Sequence, residues 1–366
     1  MNLIEQLKQI PDPRSLHGRR FPLWLLLLLA LIGSLCGYRG YRPLSAFCKD
    51  NYDDLQSLLA LPETLPTPSF STFRRLFVQV EDKFMAVLFN QWCLCFMRPT
   101  PGSWVGGDGK SIRCTRSDNG GNYLSTVTLF THTSGQVIAF ALLENAKTSE
   151  ITLMRQCIEL YQDIPELTYT FDALHCQKET VAQIVRQNQH YLIAVKGNQK
   201  KLYRTLTEWV KTQTPLSVAS VRDLTHGRRV IRQLSVYPMP DALQSVWDNS
   251  QCVLRVIRKG VRDSKPFCHE SLYLSDVSLR ADEFLPRVQS RWEIENRLHW
   301  VRDVTFNEDN PPRLGGHAPV NWSVIHCWLI TIVRQLGYLT IPDGIRGLTN
   351  RVHKVFNILM HGFSST

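Results

Sequence analysis

The first 98 residues carry apolar side chains at helical spacing, separated by short polar or proline-containing stretches. An amphipathic start precedes the leucine-rich run of residues 21–38, and a further helical pattern, SFSTFRRLF, covers residues 69–77. Ser69 or Ser71 can cap this helix, because a serine hydroxyl accepts a hydrogen bond from the first helical turn. The pattern predicts an amino-terminal helical domain over residues 1–98.

After a linker at residues 98–103, the hydrophobic period changes from that of helices to that of strands. WVGGDGK predicts a short strand that ends in a glycine-rich turn, and two β-branched runs around Ser134-Gly135 predict a hairpin. Helices and strands then alternate up to residue 209. Three strands followed by βαβ crossovers predict an α/β domain with a mixed sheet and flanking helices, the strand order of a ribonuclease-H-like domain. Residues 99–209 are expected to form its first part.

The rest of the chain predicts a β segment and then helices. Residues 210–280 are rich in β-branched and basic side chains, which indicates a mostly β insertion. Helical spacing returns at 281–306 and 318–337, and a last basic helix is predicted near 345–360. We therefore expect residues 281–366 to complete the core with helices.

The run at residues 21–38 contains no charge and follows three arginines, a pattern also found in membrane spans and signal peptides. Pro22 opens the run, and Gly33 and Gly37 interrupt it. These residues favour a buried helix of the amino-terminal domain. A membrane-anchored protein is the alternative.

Composition narrows the class of partner. In a chain of 366 residues, 43% hydrophobic residues exclude wholesale disorder, and a net charge of +10 favours a polyanionic partner, nucleic acid before anionic lipid. The ten cysteines are scattered and form no CxxC pair. They are interpreted as reduced, buried thiols of a cytoplasmic protein.

Two aspartates end predicted strands: Asp108 in the first strand and Asp172 in the fourth. In the expected topology these strands are neighbours, so the two carboxylates can converge at one end of the sheet. Close carboxylates repel each other unless a cation lies between them, and carboxylate oxygens suit Mg²⁺ or Mn²⁺. The alternative for each aspartate is that it caps the turn that follows its strand.

A third acid is expected in the helical segment SRWEIENRLHWVRDVTFNEDN. On an α-helix, Glu295 shares a face with three basic residues and lies between guanidinium groups; the three are Arg291, His299 and Arg302. An adjoining apolar stripe would dock the helix onto the sheet; it consists of Ile294, Leu298 and Val301. Glu293 and Asp303 are expected to project away from that face, and Glu308 and Asp309 to lie in a loop. A surface helix with ion pairs is the alternative.

Other catalytic motifs are absent from the sequence. The His and Cys residues show no zinc-ligand spacing, VGGDGK lacks the pattern of a phosphate-binding loop, and no GxSxG string occurs.

Several strings resemble one known family. VGGDGKSIR, ENAKTSEI, FDALHCQKETVAQIV, HYLIAVKGNQKKLY, HGRR and RWEIENRLHWVRDVTFNED occur in this order. They resemble the insertion-sequence DDE transposases of the ISAs type, which include the H-repeat-associated proteins. The amino-terminal DPRSLHGRRFPLWLLLLLALIGSLCGYRG and PSFSTFRRL also resemble that family's helical leader. The family usually has Glu where this chain has Val230, which places a contact of the insertion in doubt.

The resemblance implies a ribonuclease-H-like catalytic domain with a β insertion between the second Asp and the Glu. The family's three acids fall on Asp108, Asp172 and Glu295, which would hold two Mg²⁺ or Mn²⁺ ions and catalyse phosphoryl transfer on DNA. The expected partners are double-stranded DNA with transposon inverted repeats, target DNA and a second copy of the chain on DNA, with no membrane. A nucleoid-associated, cytoplasmic enzyme is expected, and a catalytically inactive DNA-binding relic is the alternative.

A set of polar residues is assigned to DNA contacts: Lys110, Lys196, Asn198, Gln199, Lys200, Arg228, Arg291, Trp292, His299 and Arg302. Ordinary surface charge is the alternative for the basic members. Trp292 and Trp300 either stack on unpaired bases or belong to the core. The amino-terminal domain, through the basic helix at 69–77, either contacts DNA or presents a solvated face.

Overall fold

The structure is a computed structural model that describes residues 2–115, 123–144, 147–223, 229–262 and 265–363. Within these ranges it contains a nine-stranded mixed sheet in the order β3-β2-β1-β4-β5-β9-β8-β7-β6. The strands are β1 Trp104–Ile112, β2 Leu124–Thr131, β3 Val137–Glu144, β4 Thr168–Phe171, β5 His190–Val195, β6 Ser217–Asp223, β7 Arg229–Pro238, β8 Cys252–Arg262 and β9 Lys265–Ser275.

The first five strands confirm the predicted mixed sheet. β1 pairs antiparallel with β2 and parallel with β4, so the first and fourth strands are neighbours, and β5 continues the parallel part. The hairpin turn at Ser134-Gly135 joins β2 to β3, and Gly135 has a φ of 72°. Three helices alternate with these strands: α7 Lys147–Glu159, α8 Lys178–Arg186 and α9 Lys200–Thr212.

The glycine-rich turn predicted at VGGDGK is wrong, because β1 runs through it and Asp108 lies in the middle of the strand. Gly107 and Gly109 face α7. A Cβ on Gly107 would collide with the Phe171 ring, and a Cβ on Gly109 would collide with the Glu150 carboxylate. These glycines therefore allow α7 to pack closely on an extended strand.

The predicted β segment is confirmed, and its strands extend the same sheet. β9 pairs antiparallel with β5, and β8, β7 and β6 follow as antiparallel neighbours. The short helix α10, Asp241–Gln244, lies between β7 and β8, and α11, Ala281–Ser290, covers this half of the sheet with Phe284, Leu285 and Val288.

Six helices form the amino-terminal part: α1 Leu3–Lys8, α2 Leu23–Leu35, α3 Tyr41–Asp50, α4 Tyr52–Leu59, α5 Phe70–Gln79 and α6 Asp82–Phe96. Ser69 caps α5, as one of the two predicted serines, by accepting a hydrogen bond from the Thr72 backbone N–H. Twelve of the thirteen residues of α2 are buried, which confirms the predicted buried helix. In the described part of the chain, no helix has both the length and the apolarity needed to cross a bilayer.

The amino-terminal helices share their core with the carboxyl-terminal helices rather than enclosing one of their own. The central element is α12, Ala318–Gln335, in which sixteen of eighteen residues are buried. The last basic helix predicted near 345–360 is instead two helices, α13 Ile341–Leu348 and α14 Val352–His361. Asn350 lies between them with a φ of 57°, a left-handed conformation that interrupts a helix.

The helical segment predicted at 281–306 is confirmed as helical, but its turns after α11 are wider than α-helical. Two π-helical stretches follow α11, Ile294–His299 and Val301–Thr305. A π-helical turn holds roughly 4.4 residues instead of 3.6, so side chains further along the segment point in different directions from those expected on an α-helix. The predicted apolar stripe is buried nonetheless, with Ile294, Leu298 and Val301 at most 7% exposed.

The ten cysteines are free thiols, and seven of them are buried. Burial raises the pKa of the Cys36 and Cys48 thiols to about 12, which keeps them protonated and unreactive. Cys95 and Cys268 are exposed, so the expectation that the thiols are buried is wrong for these two.

Candidate metal and nucleic-acid site

Asp108 and Asp172 lie side by side on neighbouring parallel strands. The register pairs Gly106 of β1 with Thr170 of β4, and Asp108 and Asp172 come two positions further along their respective chains. β4 ends at Phe171, whereas β1 continues beyond Asp108. The negative charge of Asp172 acts on Asp108, so the two residues lie near each other, although only Asp172 stands at a strand end.

The first π-helical stretch places Glu295 and His299 over Asp108. One ligand atom each of Asp108, Glu295 and His299 lies within 4.8 Å of the other two. The His299 Nδ1 atom is 3.3 Å from the Glu295 Oε2 atom and 3.8 Å from the Asp108 Oδ2 atom. His299, one of the residues predicted to contact DNA, is only 8% exposed and lies among the carboxylates.

The two carboxylates have opposite pKa shifts. Burial raises the pKa of Asp108 to about 6, His299 opposes this shift, and the negative charges of Glu295 and Asp172 add to it. The hydrogen bond from His299 lowers the pKa of Glu295, and Lys110 contributes to the same effect. Glu295 is thus stabilised by an imidazole and an ammonium group, and the prediction that guanidinium groups surround it is wrong. Crowded carboxylates of this kind favour a bound cation.

Asp172 has a second role as a cap. Its Oδ1 atom accepts a hydrogen bond of 2.9 Å from the Leu174 backbone N–H at the start of a short 3₁₀ turn. Among the described residues, Asp172 is not part of the group that Asp108 forms with Glu295 and His299. Its Oδ2 atom makes none of the described hydrogen bonds.

Asn198 and Gln199 of the KGNQ string were predicted to contact DNA. Their side chains bind the loop that follows Asp172. The Asn198 side-chain amide donates to the Ala173 carbonyl, and the Gln199 amide donates to the Cys176 carbonyl at 2.8 Å. These side chains use their donors inside the protein. They act on the site by positioning the Asp172 loop.

Lys110 and Asp303 belong to the edge of the site. The Lys110 ammonium lies 2.5 Å from Asp303 and 3.6 Å from Asp309, with the Lys110 side chain only 9% exposed. The expectation that Asp303 projects away from the face of Glu295 is wrong. Asp303 contacts Lys110, the same lysine whose charge lowers the pKa of Glu295, and therefore lies beside Glu295.

Arg302 points into the protein. Its side chain is 0% exposed and forms an ion pair of 2.8 Å with Glu308. It also donates to Thr126 of β2 and to Ser323 of α12, and His326 of α12 lies 2.7 Å from the other Glu308 oxygen. A wholly buried guanidinium does not reach DNA, so that prediction is wrong. Glu308 lies in the predicted loop but is buried.

Trp292 and Trp300 are 49% and 57% exposed, so their assignment to the core is wrong. Trp292 lines a cleft of about 580 Å³ that also contains Lys196, Arg258 and Arg291. The guanidinium carbons of Arg258 and Arg291 lie 5.9 and 5.3 Å from the Trp292 ring centre, within the range of cation–π contacts. Lys200 is exposed at the start of α9, and Arg228 lies outside the described residues.

Two arginines hold the π-helical segment to the hairpin turn, and neither was predicted from the sequence. Arg297 donates to the carbonyls of His132 and Ser134 in the hairpin turn, and Arg334 of α12 donates to the carbonyls of Gly135 and Arg297. The contacts of these arginines with the hairpin turn join residues more than 150 positions apart, so no local spacing in the sequence connects them. The sequence offers one signal of this connection, the polar residue His132 directly after a buried strand.

His132 makes folding stability depend on pH. It bridges Thr170 and Ser290, each at 2.9 Å, and burial together with Arg287, Arg291 and Arg297 lowers its pKa from 6.5 to about 4. The unfolded chain therefore binds a proton that the folded chain does not, and stability is lost as pH falls from 6.5 towards 4. We expect the His132 contribution to the free energy of unfolding to fall by about 2 kcal/mol between about pH 7 and about pH 5.

Urea denaturation at the two pH values measures this effect. His132→Gln is expected to reduce the pH dependence by that amount, whereas His361→Gln, at an exposed position of α14, should leave it unchanged. An equal pH dependence in the His132 variant and the parent protein would contradict the prediction.

Two family models match the chain, one described as Transposase DDE domain over residues 107–331 and one described as DDE_Tnp_1-associated over residues 4–93. Similar curated proteins include "Putative transposase YncI" of Escherichia coli O157:H7, 27% identical over 350 residues that cover 91% of this chain and 87% of the relative. "H repeat-associated putative transposase YhhI" of Escherichia coli (strain K12) is 25% identical over 346 residues, or 90% of each chain. A solved structure of piggyBac transposase in a synaptic complex with hairpin DNA has a TM-score of 0.46 and 12% identity, covering 96% of this chain and 77% of that chain.

Proposed function

From the fact that this chain belongs to the Transposase DDE domain family, we propose that it cuts and joins DNA at the inverted-repeat ends of an insertion sequence by metal-dependent phosphoryl transfer. The observation that carries the proposal is the cluster of Asp108, Glu295 and His299, with Asp172 directly after the adjacent strand β4. The order β3-β2-β1-β4-β5, with β2 antiparallel to both neighbours, supports a ribonuclease-H-like core.

The donor set fits a divalent cation. Asp108 and Glu295 supply the carboxylate oxygens that Mg²⁺ and Mn²⁺ prefer, and the imidazole of His299 is better suited to Mn²⁺ than to Mg²⁺. Burial raises the pKa of Asp108 to about 6, and the charges of Glu295 and Asp172 add to this shift, which is the effect that crowded carboxylates have on one another. Two ions with Asp172 as a further ligand remain a prediction of the family resemblance.

A divalent cation bound at this site would supply Lewis-acid stabilisation of the charge on a reacting phosphate. The chain itself would position that phosphate. Asp108 and Glu295 would hold the cation from two elements, and His299 orients Glu295 through the hydrogen bond at 3.3 Å. Lys110, anchored by Asp303, contributes positive charge at the rim of the site.

The cleft beside Trp292 fits the single-stranded part of a DNA end. An exposed indole next to two guanidinium groups provides a surface on which an unpaired base stacks, and such stacking does not depend on base identity. Lys196, exposed in the same cleft, and Lys200 would contact backbone phosphates. We further propose duplex DNA with inverted repeats and target DNA as partners, and a homodimer on DNA.

Asp172→Asn tests the proposal, because asparagine keeps the oxygen that caps the turn at Leu174 but removes the charge. The assay is nicking of a supercoiled plasmid that carries the DNA flanking the gene on both sides, with Mg²⁺ or with a chelator. We expect the variant to lose roughly 10²-fold or more in cleavage rate with little change in melting temperature.

Asp172→Ala is the matched control, since it removes both the cap and the charge. If Asp172→Asn cleaves like the parent protein and only Asp172→Ala fails, Asp172 is a structural cap and no catalytic acid. If the parent protein binds the flanking DNA but does not nick it with any divalent cation, the chain is the DNA-binding relic.

A further inference from the structure

A basic cleft of about 600 Å³ lies in the amino-terminal part of the molecule, between the loop of residues 11–21 and the start of α5. Three cationic or titratable basic side chains line it and are exposed, His17, Arg20 and Arg75. We refer to this space as the amino-terminal basic cleft. None of the described residues that line it is acidic.

The loop that forms one wall is held in a defined shape. Arg14 forms an ion pair of 2.7 Å with Asp12 and donates to the Phe21 carbonyl, and Arg19 donates to the carbonyls of Arg14 and Asp12. Arg14 and Arg19 therefore neutralise the one carboxylate of this loop, and Arg14 lowers its pKa. The charge of Arg20 remains available to a ligand in the cleft.

The other wall is the amino-terminal end of α5. The Ser69 hydroxyl caps this helix, and the hydroxyls of Ser69 and Thr72 lie 3.0 Å apart at the cleft. Arg75 follows less than one turn later on the same side. Guanidinium groups, hydroxyl donors and the positive end of a helix dipole together match a phosphodiester group.

Helix α12 connects the wall of this cleft to the candidate catalytic site. Asn321 of α12 donates to the carbonyls of Phe77 and Val80, at the end of α5. Ser323 and His326 of the same helix contact the buried pair of Glu308 and Arg302, which anchors the π-helical segment with Glu295. One buried helix thus connects both sites.

We infer that the amino-terminal basic cleft binds the phosphate backbone of the duplex DNA substrate, at a place separate from the site of Asp108 and Glu295. This inference rests on the proposed function, since it takes DNA as the substrate. Phosphate contacts carry no sequence information, so the cleft would position the duplex while other contacts recognise the transposon end.

Arg74 and Arg75 provide a matched pair of variants. Both are exposed on α5 and differ by one position, but only Arg75 lines the cleft. Full-length Arg75→Gln, Arg74→Gln and the double variant Arg20→Gln/Arg75→Gln are compared by fluorescence anisotropy with a short labelled duplex of the flanking DNA, at several salt concentrations.

We expect Arg75→Gln to weaken binding roughly 3- to 10-fold and to reduce the slope of log affinity against log salt by about 1. The double variant should lose roughly 10- to 100-fold and about 2 in slope, while Arg74→Gln changes affinity less than about twofold. Cleavage by Arg74→Gln should equal that of the parent protein, and an unchanged melting temperature of Arg75→Gln shows that this variant is folded.

Equal losses for Arg74→Gln and Arg75→Gln would overturn the inference, because the effect would then be general surface charge. The inference is also overturned if the cleft variants lose binding to vesicles of anionic lipid but bind the duplex as tightly as the parent protein does. If the parent protein binds the duplex through the cleft but does not cleave it, the proposed catalytic function fails and the cleft stands. If the parent protein cleaves the duplex and the cleft variants bind it normally, only the inference about the cleft is contradicted.

Discussion

Asp108→Asn is expected to lower the rate of DNA cleavage roughly 10³-fold or more while leaving DNA affinity within about threefold of the parent protein. Asparagine has the same shape but cannot carry the charge that holds a divalent cation. Asp108 lies within 4.8 Å of ligand atoms of Glu295 and His299, and Asp172 also acts on its charge. Burial and the neighbouring carboxylates oppose its ionisation, and the variant should therefore be at least as stable as the parent.

The measurement is the single-turnover cleavage rate at saturating Mg²⁺, together with the melting temperature. Asp309→Asn is the control, because Asp309 lines a cleft together with Glu295 and His299 and lies 3.6 Å from Lys110 and from Arg113. We expect it to change the rate less than about tenfold. Undiminished cleavage by Asp108→Asn would eliminate the proposed catalytic centre, and equal losses in both variants would indicate a general effect of negative charge.

Arg302→Met is expected to lower the free energy of unfolding by about 3–5 kcal/mol. Methionine fills a similar space, but the Glu308 carboxylate, only 4% exposed, then lacks its cationic partner. Thr126 and Ser323 lose a donor at the same time. Because this network fastens the π-helical segment to β2 and α12, the variant should also lose cleavage activity. Urea denaturation near neutral pH measures the first effect.

The same network predicts the direction of acid unfolding. Burial alone would raise the pKa of Glu308, but Arg302 and His326 lower it from 4.5 to about 2. Its contribution to stability is therefore present above pH 4.5 and lost as pH falls towards 2. Burial lowers the pKa of His326 below 6.5, so its contribution is likewise lost as pH falls below 6.5. Protonation of Glu308 and of His326 therefore destabilises the folded protein at acidic pH.

The double variant Arg302→Met/Glu308→Leu distinguishes a charge effect from a packing effect. Replacing both members of a buried ion pair by apolar side chains is often tolerated, whereas removing one member leaves an uncompensated charge. We expect the double variant to recover more than half of the stability lost in Arg302→Met. No recovery would mean that the hydrogen bonds to Thr126 and Ser323, rather than the ion pair, carry the effect.

The amino-acid sequence alone determined the strands, the helices and the identity of the candidate acids. Local hydrophobic period and turn residues specify whether a segment is a strand or a helix, and the succession of elements leaves few topologies, so β1 and β4 could be placed side by side. Asp108, Asp172 and Glu295 followed from that placement and from the family resemblance. The glycines of VGGDGK led to the wrong prediction of a turn, because glycine is equally suited to a tight turn and to close packing of neighbouring elements.

The directions of the side chains around the acids were decided by tertiary structure. The π-helical turns direct Arg302 into the core, where it contacts Glu308 and Ser323 of α12, and Asp303 contacts Lys110 beside Glu295. An i→i+5 hydrogen-bond pattern has no periodic signature in the sequence, since it arises where packing against β1 and α12 outweighs the α-helical preference. The joining of the amino-terminal helices to α12 likewise depends on contacts between residues more than 200 positions apart, which no local pattern encodes.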